Sequence, residues 1–540
     1  MIPENLSAYF IDSIKENWEK ISLREYDGGE KTFAETGNAI LSLHKLFKAN
    51  NIEKGDKISL VGKNSGNWAI AYIASVTYGA VIVPLLQDFT TSDIYNLVNH
   101  SDSKIMFASD FIHTKLDFSE IKNLEAIFQL EDYSLVHSSK AEYIEYKYSE
   151  NITNPEDFNI DLIDNSELAA ILYTSGTSGN PKGVMLNHNA LAANIRYARA
   201  NMPLLPGDKI VSFLPLAHSY GCAFEFLYPF TLGCSITFLG KLPAPQVVVK
   251  AFNEIKPRLI LSVPLVMEKV YKNKIQPQLQ KPAIKFISKI PGLNKIIFNK
   301  VKKSLSDSFG GEFKEFVIGG AKLNREVEVF LRKIGFNFAI GYGMTECGPL
   351  ITYDGWKTTK IFSAGKVVDS LEIKIDSEDP TKKVGEILLR GENVMLGYYK
   401  NEEETAKTFT EDGWMRTGDL GLIDADGYLF IKGRSKSMIL GASGKNVYPE
   451  EVEAKLQNLP LVNECVVIGR QNHIVALVYP DKNIIEERAL NKEELEAIFA
   501  EYQTEVNKDL PGYMQIHKIQ LREEEFEKTP KKSIKRYLYE

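Results

Sequence analysis

The stretch LYTSGTSGNPKGVML, residues 172 to 186, gathers Thr174, Ser175, Thr177 and Ser178 around Gly176 and Gly179 and then reaches Lys182. Glycines let successive backbone N–H groups turn toward one anion, hydroxyls add donors, and a lysine adds positive charge. The chemistry such a loop serves is the holding of phosphate. It is not a Walker A loop, which needs Lys followed by Ser or Thr. Here Lys182 is preceded by Pro181 and followed by Gly183, so a P-loop NTPase does not fit. The plainer reading is a Ser/Gly-rich surface turn between a strand and a helix.

The elements that would position this loop can be read from the rest of the chain. At 540 residues it is long enough for two or more domains. A hydrophobic fraction of 44% with 25% charged residues is a soluble, globular balance. The net charge of −7 argues against a nucleic-acid binder, which usually carries a basic excess. Cys222, Cys234, Cys347 and Cys465 form no CxxC pair, so neither a zinc site nor a disulfide framework is expected. A reduced, cytoplasmic compartment fits. The first 20 residues carry charges throughout and lack the apolar core of a signal peptide.

One stretch, NWAIAYIASVTYGAVIVPLL at 67 to 86, is uncharged and long enough to span a bilayer. Asn67, Ser75, Thr77, Gly79 and Pro84 dilute it. It reads better as a buried helix, a stop at Tyr78-Gly79, and a short buried strand. Further runs such as KISLVG, KIMFAS, AAILYTS, KIVSFLPL, SITFLG and LILSVP alternate with helical-period segments. That alternation predicts βα units and largely parallel sheets. Beyond residue 380 the texture becomes short strands and turns, with Asp426-Gly427 as a hairpin signal. After Arg434 a compact α+β pattern follows: a helix in YPEEVEAKLQNL, strands in NECVVIGR and HIVALVYP, and a helix in NKEELEAIFAEYQTEVNKDL. The boundary is expected near 433 to 437, which divides the chain into residues 1–433 and 434–540.

The full string YTSGTSGNPKG resembles the phosphate loop of the adenylate-forming superfamily, which includes acyl-CoA synthetases, firefly luciferase and peptide-synthetase adenylation domains. VIGGAKL (317 to 323), GYGMTECGPL (341 to 350), RTGDLG (416 to 421), IKGRSKSMI (431 to 439) and GKNVYPEEVE (444 to 453) are similar to that family's motifs, in its order. The fold the resemblance implies is α/β. A large N-terminal domain would have mixed and parallel sheets flanked by helices, plus a β-barrel-like subdomain. A small mobile α+β C-terminal domain would follow. The implied reaction has two steps. A carboxylate attacks the α-phosphate of ATP, giving an acyl-adenylate and pyrophosphate; a thiol, usually coenzyme A, then takes the acyl group and releases AMP. Such a phosphoryl step depends on positioning and on neutralising negative charge, which magnesium and basic side chains share.

The resemblance also implies roles. Thr174, Ser175, Gly176, Thr177, Ser178, Gly179 and Lys182 would hold the β- and γ-phosphates, while Thr177 and Glu346 would reach Mg2+. Thr345 would contact the α-phosphate. Tyr342, with Gly343 and Met344 beside it, would pack on the adenine framed by Gly319, Gly320 and Ala321. Asp419 would accept from the ribose hydroxyls, and Arg434 would meet ribose or phosphate. Taken singly, Glu346 could be a solvated acid and Asp419 a turn residue. Lys436 falls at the family's hinge position, and the stretch with Ser443 and Gly444 would line the path of coenzyme A. LPLAHSYGCAFEF, 214 to 226, resembles the mouth of the acyl pocket, with His218, Tyr220, Gly221 and the more distant Gly341 toward the acid. His218 could equally be a satisfied core histidine.

One position departs from the pattern. Where the family carries a lysine in a string like TPTGKIKR, this chain reads TPKKSIKR, 529 to 536, and the aligned residue is Ser533. Serine is short and uncharged, so either Lys532 or Lys531 takes the role or the first step is slow. Residues 269 to 305 carry ten lysines and no acid, with apolar residues at helical spacing. This segment resembles the insertion of long-chain fatty acyl-CoA synthetases. It leaves a peripheral contact with anionic lipid open beside a plain solvated face. The expectation is a cytoplasmic long-chain fatty acid–CoA ligase with fatty acid, ATP and coenzyme A as small-molecule substrates. An acyl carrier protein as acceptor, an aromatic or medium-chain acid, a non-catalytic acyl or nucleotide binder, and a homodimer stay open.

Overall fold

The computed structural model describes residues 1–140, 143, 151–174, 181–240, 244–282, 293–440, 446–471, 473–529 and 534–540. The uncharged stretch at 67–86 is almost entirely buried. Its first part is the helix Gly66–Tyr78, started by the Ser65 side chain, which accepts from Trp68 N. Gly79 stops it in the left-handed conformation (φ 90°), which glycine adopts without strain. The strand Val81–Leu85 follows, buried at every position. Twenty uncharged residues thus go into a core as helix and then strand. Among the described residues no helix is long and apolar enough to cross a membrane.

That strand lies in an eight-stranded sheet. Its order is Gly397–Tyr398, Lys182–Asn187, Leu168–Thr174, Val81–Leu85, Lys57–Val61, Ser103–Ala108, Ala126–Gln129 and Leu135–Ser138. The inner pairs are parallel, and the pairs at both ends are antiparallel. The sheet is therefore mixed, and the phosphate-loop candidate sits in an antiparallel part of it. Thr174 pairs with Lys182, so the residues between them connect two antiparallel strands rather than a strand and a helix.

Two further sheets extend the α/β part. Lys209–Ser212, Ser235–Phe238, Ile21–Glu25 and Glu30–Thr32 form one; the parallel strands Leu259–Ser262, Glu315–Ile318 and Phe338–Ile340 form the other. The barrel-like part consists of two small antiparallel sheets. One holds Tyr342–Gly343, Leu350–Tyr353 and Lys366–Val367; the other holds Leu371–Asp376, Gly385–Gly391, Met415–Ile423 and Leu429–Arg434. A bridge between Lys366 and Tyr428 joins them. The Asp426-Gly427 turn forms the hairpin between Met415–Ile423 and Leu429–Arg434.

Residues beyond Arg434 fold around their own apolar cluster. The helices Pro449–Leu456 and Lys492–Lys508 pack on the sheet Val462–Arg470, His473–Pro480 and Ile516–Leu521. Part of the basic segment serves packing rather than solvent. It begins as the helix Pro264–Val270 and loosens to a π-helical turn at Tyr271–Ile275. From there Lys272 Nζ donates to the carbonyls of Leu459 (3.2 Å) and Val462 (2.9 Å).

Glu315 shows what the core costs electrostatically. It is 3% exposed, and burial pushes its carboxyl up to about 7, against donors from Tyr353 and Trp356 N. The folded state therefore keeps a proton that the unfolded chain releases. This contribution is fully present below the ordinary glutamate range and is lost as pH rises through about 7. The loss amounts to about 3 kcal/mol. Glu315→Gln is expected to gain melting temperature relative to the native chain on going from about pH 5 to about pH 8.5. Melting curves at both values test it, and a pH-independent difference would refute it.

Candidate active site

The strand Lys182–Asn187, the neighbouring Gly397–Tyr398 and the turn Thr345–Cys347 converge on one cavity of about 660 Å3. Lys182 enters it from the sheet. Its side chain is only 16% exposed, its ammonium lies 4.9 Å from the Tyr398 ring centroid, and it pairs with Glu404. That hydrogen bond holds the Glu404 carboxyl below the usual range. The Tyr398 hydroxyl donates to Glu346 Oε1 (2.9 Å), so one ring supports the lysine and orients the acid. A strand pair, an aromatic face and two carboxylates thereby fix the charged end of the cavity.

The other end is apolar. Met202, Phe224, Val317, Leu350 and Tyr353 line it together with His218 and Tyr220. His218 caps a short helical turn, its Nδ1 accepting from Tyr220 N (3.2 Å), and Tyr220 donates to the Val317 carbonyl (3.2 Å). The segment before them is held from below by Glu225, 1% exposed, whose Oε2 accepts from Phe213 N and Leu214 N (both 2.9 Å). Burial raises the Glu225 carboxyl well above its ordinary range, against those two donors. One cavity thus offers apolar side chains together with a mixed set of cations and acids.

A smaller cavity of about 240 Å3 shares the Gly341–Tyr342–Gly343 strip with the larger one. Gly320, Ala321, Asp419, Arg434 and Glu450 line it. Asp419 is buried at 4% exposure. Its Oδ2 accepts from the Tyr342 hydroxyl (2.6 Å) and its Oδ1 meets Arg434 Nε (2.8 Å). Burial raises its pKa, opposed by the Arg434 charge and the Tyr342 hydrogen bond. Thr417 sets its backbone, accepting from Asp419 N (3.0 Å). A planar ring, a fixed carboxylate and a guanidinium make a wall suited to a polar, hydroxyl-bearing ring system.

The expected residues therefore meet, but around two cavities. Thr174, Lys182, His218, Tyr220, Gly319, Met344, Thr345, Glu346 and Lys436 line the larger one; Ala321 and Asp419 line the smaller; Gly320, Gly341, Tyr342, Gly343 and Arg434 line both. Gly221 lines neither. A Cβ there would lie 2.6 Å from the Pro215 carbonyl oxygen, so packing alone calls for glycine at this position. Ser175, Gly176, Thr177, Ser178, Gly179, Ser443, Gly444, Lys531, Lys532 and Ser533 lie outside the described residues.

Three residues that the motifs did not single out complete the site. Tyr398 and Glu404 come from a stretch more than 200 residues after Lys182. Asn194, 1% exposed on the helix His188–Asn201, accepts from Leu350 N (2.9 Å) and donates to the Cys347 carbonyl (3.1 Å). It pins the exit of the turn that carries Thr345 and Glu346, where the chain passes into the strand Leu350–Tyr353. Asn194→Ala leaves a buried N–H and a buried carbonyl unpaired, at about 2–3 kcal/mol. The expected result is a lowered melting temperature and weakened ATP binding, measured by thermal melts and calorimetry. An unchanged ATP affinity would remove Asn194 from the site's support.

The AMP-binding enzyme family matches over residues 11–399, and its C-terminal domain family matches over 436–540. The long-chain-fatty-acid–CoA ligase FadD15 of Mycobacterium bovis is 30% identical over 465 residues, covering 81% of this chain and 75% of that protein. The long-chain-fatty-acid–[acyl-carrier-protein] ligase AEE15 of Arabidopsis thaliana, a chloroplast protein, is 27% identical, covering 84% of this chain and 72% of its own. In fold, the anthranilate CoA ligase AuaEII, crystallised with anthranoyl-AMP, superposes with a TM-score of 0.80 at 20% identity, covering 99% of this chain and 96% of its own. With the paired cavities, the ordered motifs and these matches together, the chain belongs to the AMP-binding enzyme family.

Proposed function

We propose that this protein is an AMP-forming acid–thiol ligase that activates a long-chain fatty acid and passes it to coenzyme A. The observation that carries this reading is the pair of cavities meeting at Tyr342. One has apolar side chains beside a mixed set of cations and acids, and the other carries an aromatic ring, a carboxylate and a guanidinium. An acyl chain with its carboxylate suits the first, and a nucleoside suits the second. The acid and the α-phosphate then meet between Lys182, Thr345 and Glu346. The chain length is supported by the similarity to FadD15 and by the apolar wall of the larger cavity.

In this reading the chain's own residues bind, orient and neutralise. Lys182 draws the phosphates against the sheet edge. Thr345 offers a hydroxyl beside the reacting phosphorus. Tyr342 covers the base, and Asp419 with Arg434 fixes the ribose. Glu346, with one oxygen already oriented by Tyr398, fits a hard cation that takes oxygen ligands, and Thr177 would share that cation. Magnesium, when bound, supplies neutralisation of the phosphate charge. The residues from 434 onward form a small unit turning about Lys436, so that the same site serves both half-reactions.

A ladder of fatty acids from two to eighteen carbons, mixed with ATP, magnesium and coenzyme A and read by mass spectrometry, tests the whole reading. Acyl-CoA with AMP and pyrophosphate is the expected outcome, with the long acids ahead. A preference for a carrier protein over coenzyme A would favour the acceptor of AEE15. The absence of both AMP and thioester would refute the ligase and leave an acyl or nucleotide binder. Peripheral lipid contact belongs to the same proposal. The helix Leu293–Asp307 exposes Lys295, Lys300 and Lys303 beside Ile296, which is 65% exposed. Co-flotation with anionic but not neutral vesicles tests it.

A further inference from the structure

Glu404 is an acid placed where phosphate binding calls for cations. It lines the larger cavity together with Lys182, Lys407 and Lys436. It is ion-paired to Lys182, and the positive charges of Lys436 and Lys407 also act on its carboxyl. It is not a loose surface glutamate. Its side chain is 29% exposed, and its backbone N–H donates to the cap residue Asn401 (3.0 Å). Thr405, one residue on, receives the N–H of Tyr398 (2.9 Å). The Gly397–Tyr398 strand in turn pairs with Val184 and Met185, next to Lys182. The helix Glu402–Thr408 is thus tied to the strand that carries the lysine.

We infer that Glu404 is a resident counter-ion. Its carboxylate occupies the charge position that a phosphate would take on Lys182, and a polyphosphate must displace it to bind. The inference rests on the reading that this cavity receives ATP and releases pyrophosphate. A carboxylate and a phosphate oxygen compete for the same ammonium, since both are anionic acceptors. The consequence is specific: ATP and pyrophosphate bind more weakly than the lysines alone would allow, and pyrophosphate leaves faster. Glu404 thereby sets a balance between loading the nucleotide and clearing the first product.

Inorganic pyrophosphate, titrated calorimetrically into the full chain at low salt, is the probe. Glu404→Gln keeps the size and one acceptor oxygen while removing the charge. It is expected to bind pyrophosphate roughly five- to tenfold more tightly than the native chain. Glu402→Gln makes the same change in net charge from the same helix but lies outside the cavity, so it should bind as the native chain does. The gap should narrow as ionic strength rises. Equal or weaker binding by Glu404→Gln, with an unchanged melting temperature, would overturn the inference. If that variant unfolds, Glu404→Asp replaces it: retracting the carboxylate should also tighten binding, and unchanged affinity would overturn the inference equally. A native chain that binds pyrophosphate but forms no acyl-adenylate would sink the proposed function and leave the counter-ion standing. If neither chain binds pyrophosphate at millimolar concentration, both readings fall.

Discussion

Lys182→Met is expected to lower acyl-adenylate formation about 10²–10³-fold, the size of effect seen when one preorganised electrostatic contact is removed. The argument is geometric. Lys182 begins a strand, stands opposite Thr174 in the register, and rests on the Tyr398 ring. Its stem is largely covered, so the ammonium is already placed when a ligand arrives. Methionine keeps the stem and its packing and removes only the charge. The second half-reaction, started from supplied acyl-adenylate, no longer has β- and γ-phosphates to hold and should survive. ATP–pyrophosphate exchange and thioester formation from the adenylate, measured separately, distinguish these outcomes. Equal losses in both would show that the lysine supports the fold of the site and not the phosphates. The double variant Lys182→Met/Glu404→Gln adds a sharper reading. If the acid acts only through this lysine, removing Glu404's charge gains nothing once Lys182 is gone, and the two effects are not additive.

How much of this was legible in the chain depends on the range of the interaction. The stretch at 67–86 declared itself because a helix stop and a strand are local properties; Gly79 alone decides where one ends. The motifs at 317–323, 341–350 and 416–421 declared themselves through their resemblance to the family's motifs, in the family's order. What sequence reading missed lies in pairings across long separations. Nothing near Glu404 in the chain points to Lys182, and nothing near Asn194 points to the turn after Met344. The phosphate-loop candidate illustrates the same limit. Its glycines and hydroxyls fit an anion in either setting, and only the pairing of Thr174 with Lys182 reveals that it links two antiparallel strands. The basic run at 269–305 misleads for a different reason. Its apolar residues recur beside the lysines at helical spacing, but the backbone loosens at Tyr271–Ile275, and Lys272 donates to the carbonyls of Leu459 and Val462. Composition reads such a lysine as solvated when it is in fact bound.

Asp419→Asn is expected to weaken nucleotide binding about 100-fold, or about 3 kcal/mol, with little effect on the acyl side of the larger cavity. The carboxylate does two jobs within one hydrogen-bond shell. It holds the Tyr342 hydroxyl at 2.6 Å and the Arg434 guanidinium at 2.8 Å, and so fixes both a ring face and a cation. Asparagine has nearly the same shape but carries no charge, and its NH2 group points a donor at groups that are themselves donors. Arg434 then loses its ion pair and keeps only the more distant charges of Glu346 and Glu450, so the guanidinium is held less firmly in the wall it forms. The pH dependence separates this account from a merely steric one. Burial raises the Asp419 pKa, so the carboxylate loses its charge at a higher pH than an exposed aspartate would. ATP affinity of the native chain should therefore fall on acidification before ordinary aspartates titrate, while the already neutral Asn variant shows no such fall. Calorimetric ATP titrations across that range measure both. An Asn variant with native affinity, or one whose affinity falls with pH in parallel with the native chain, would show that the nucleotide does not depend on this carboxylate.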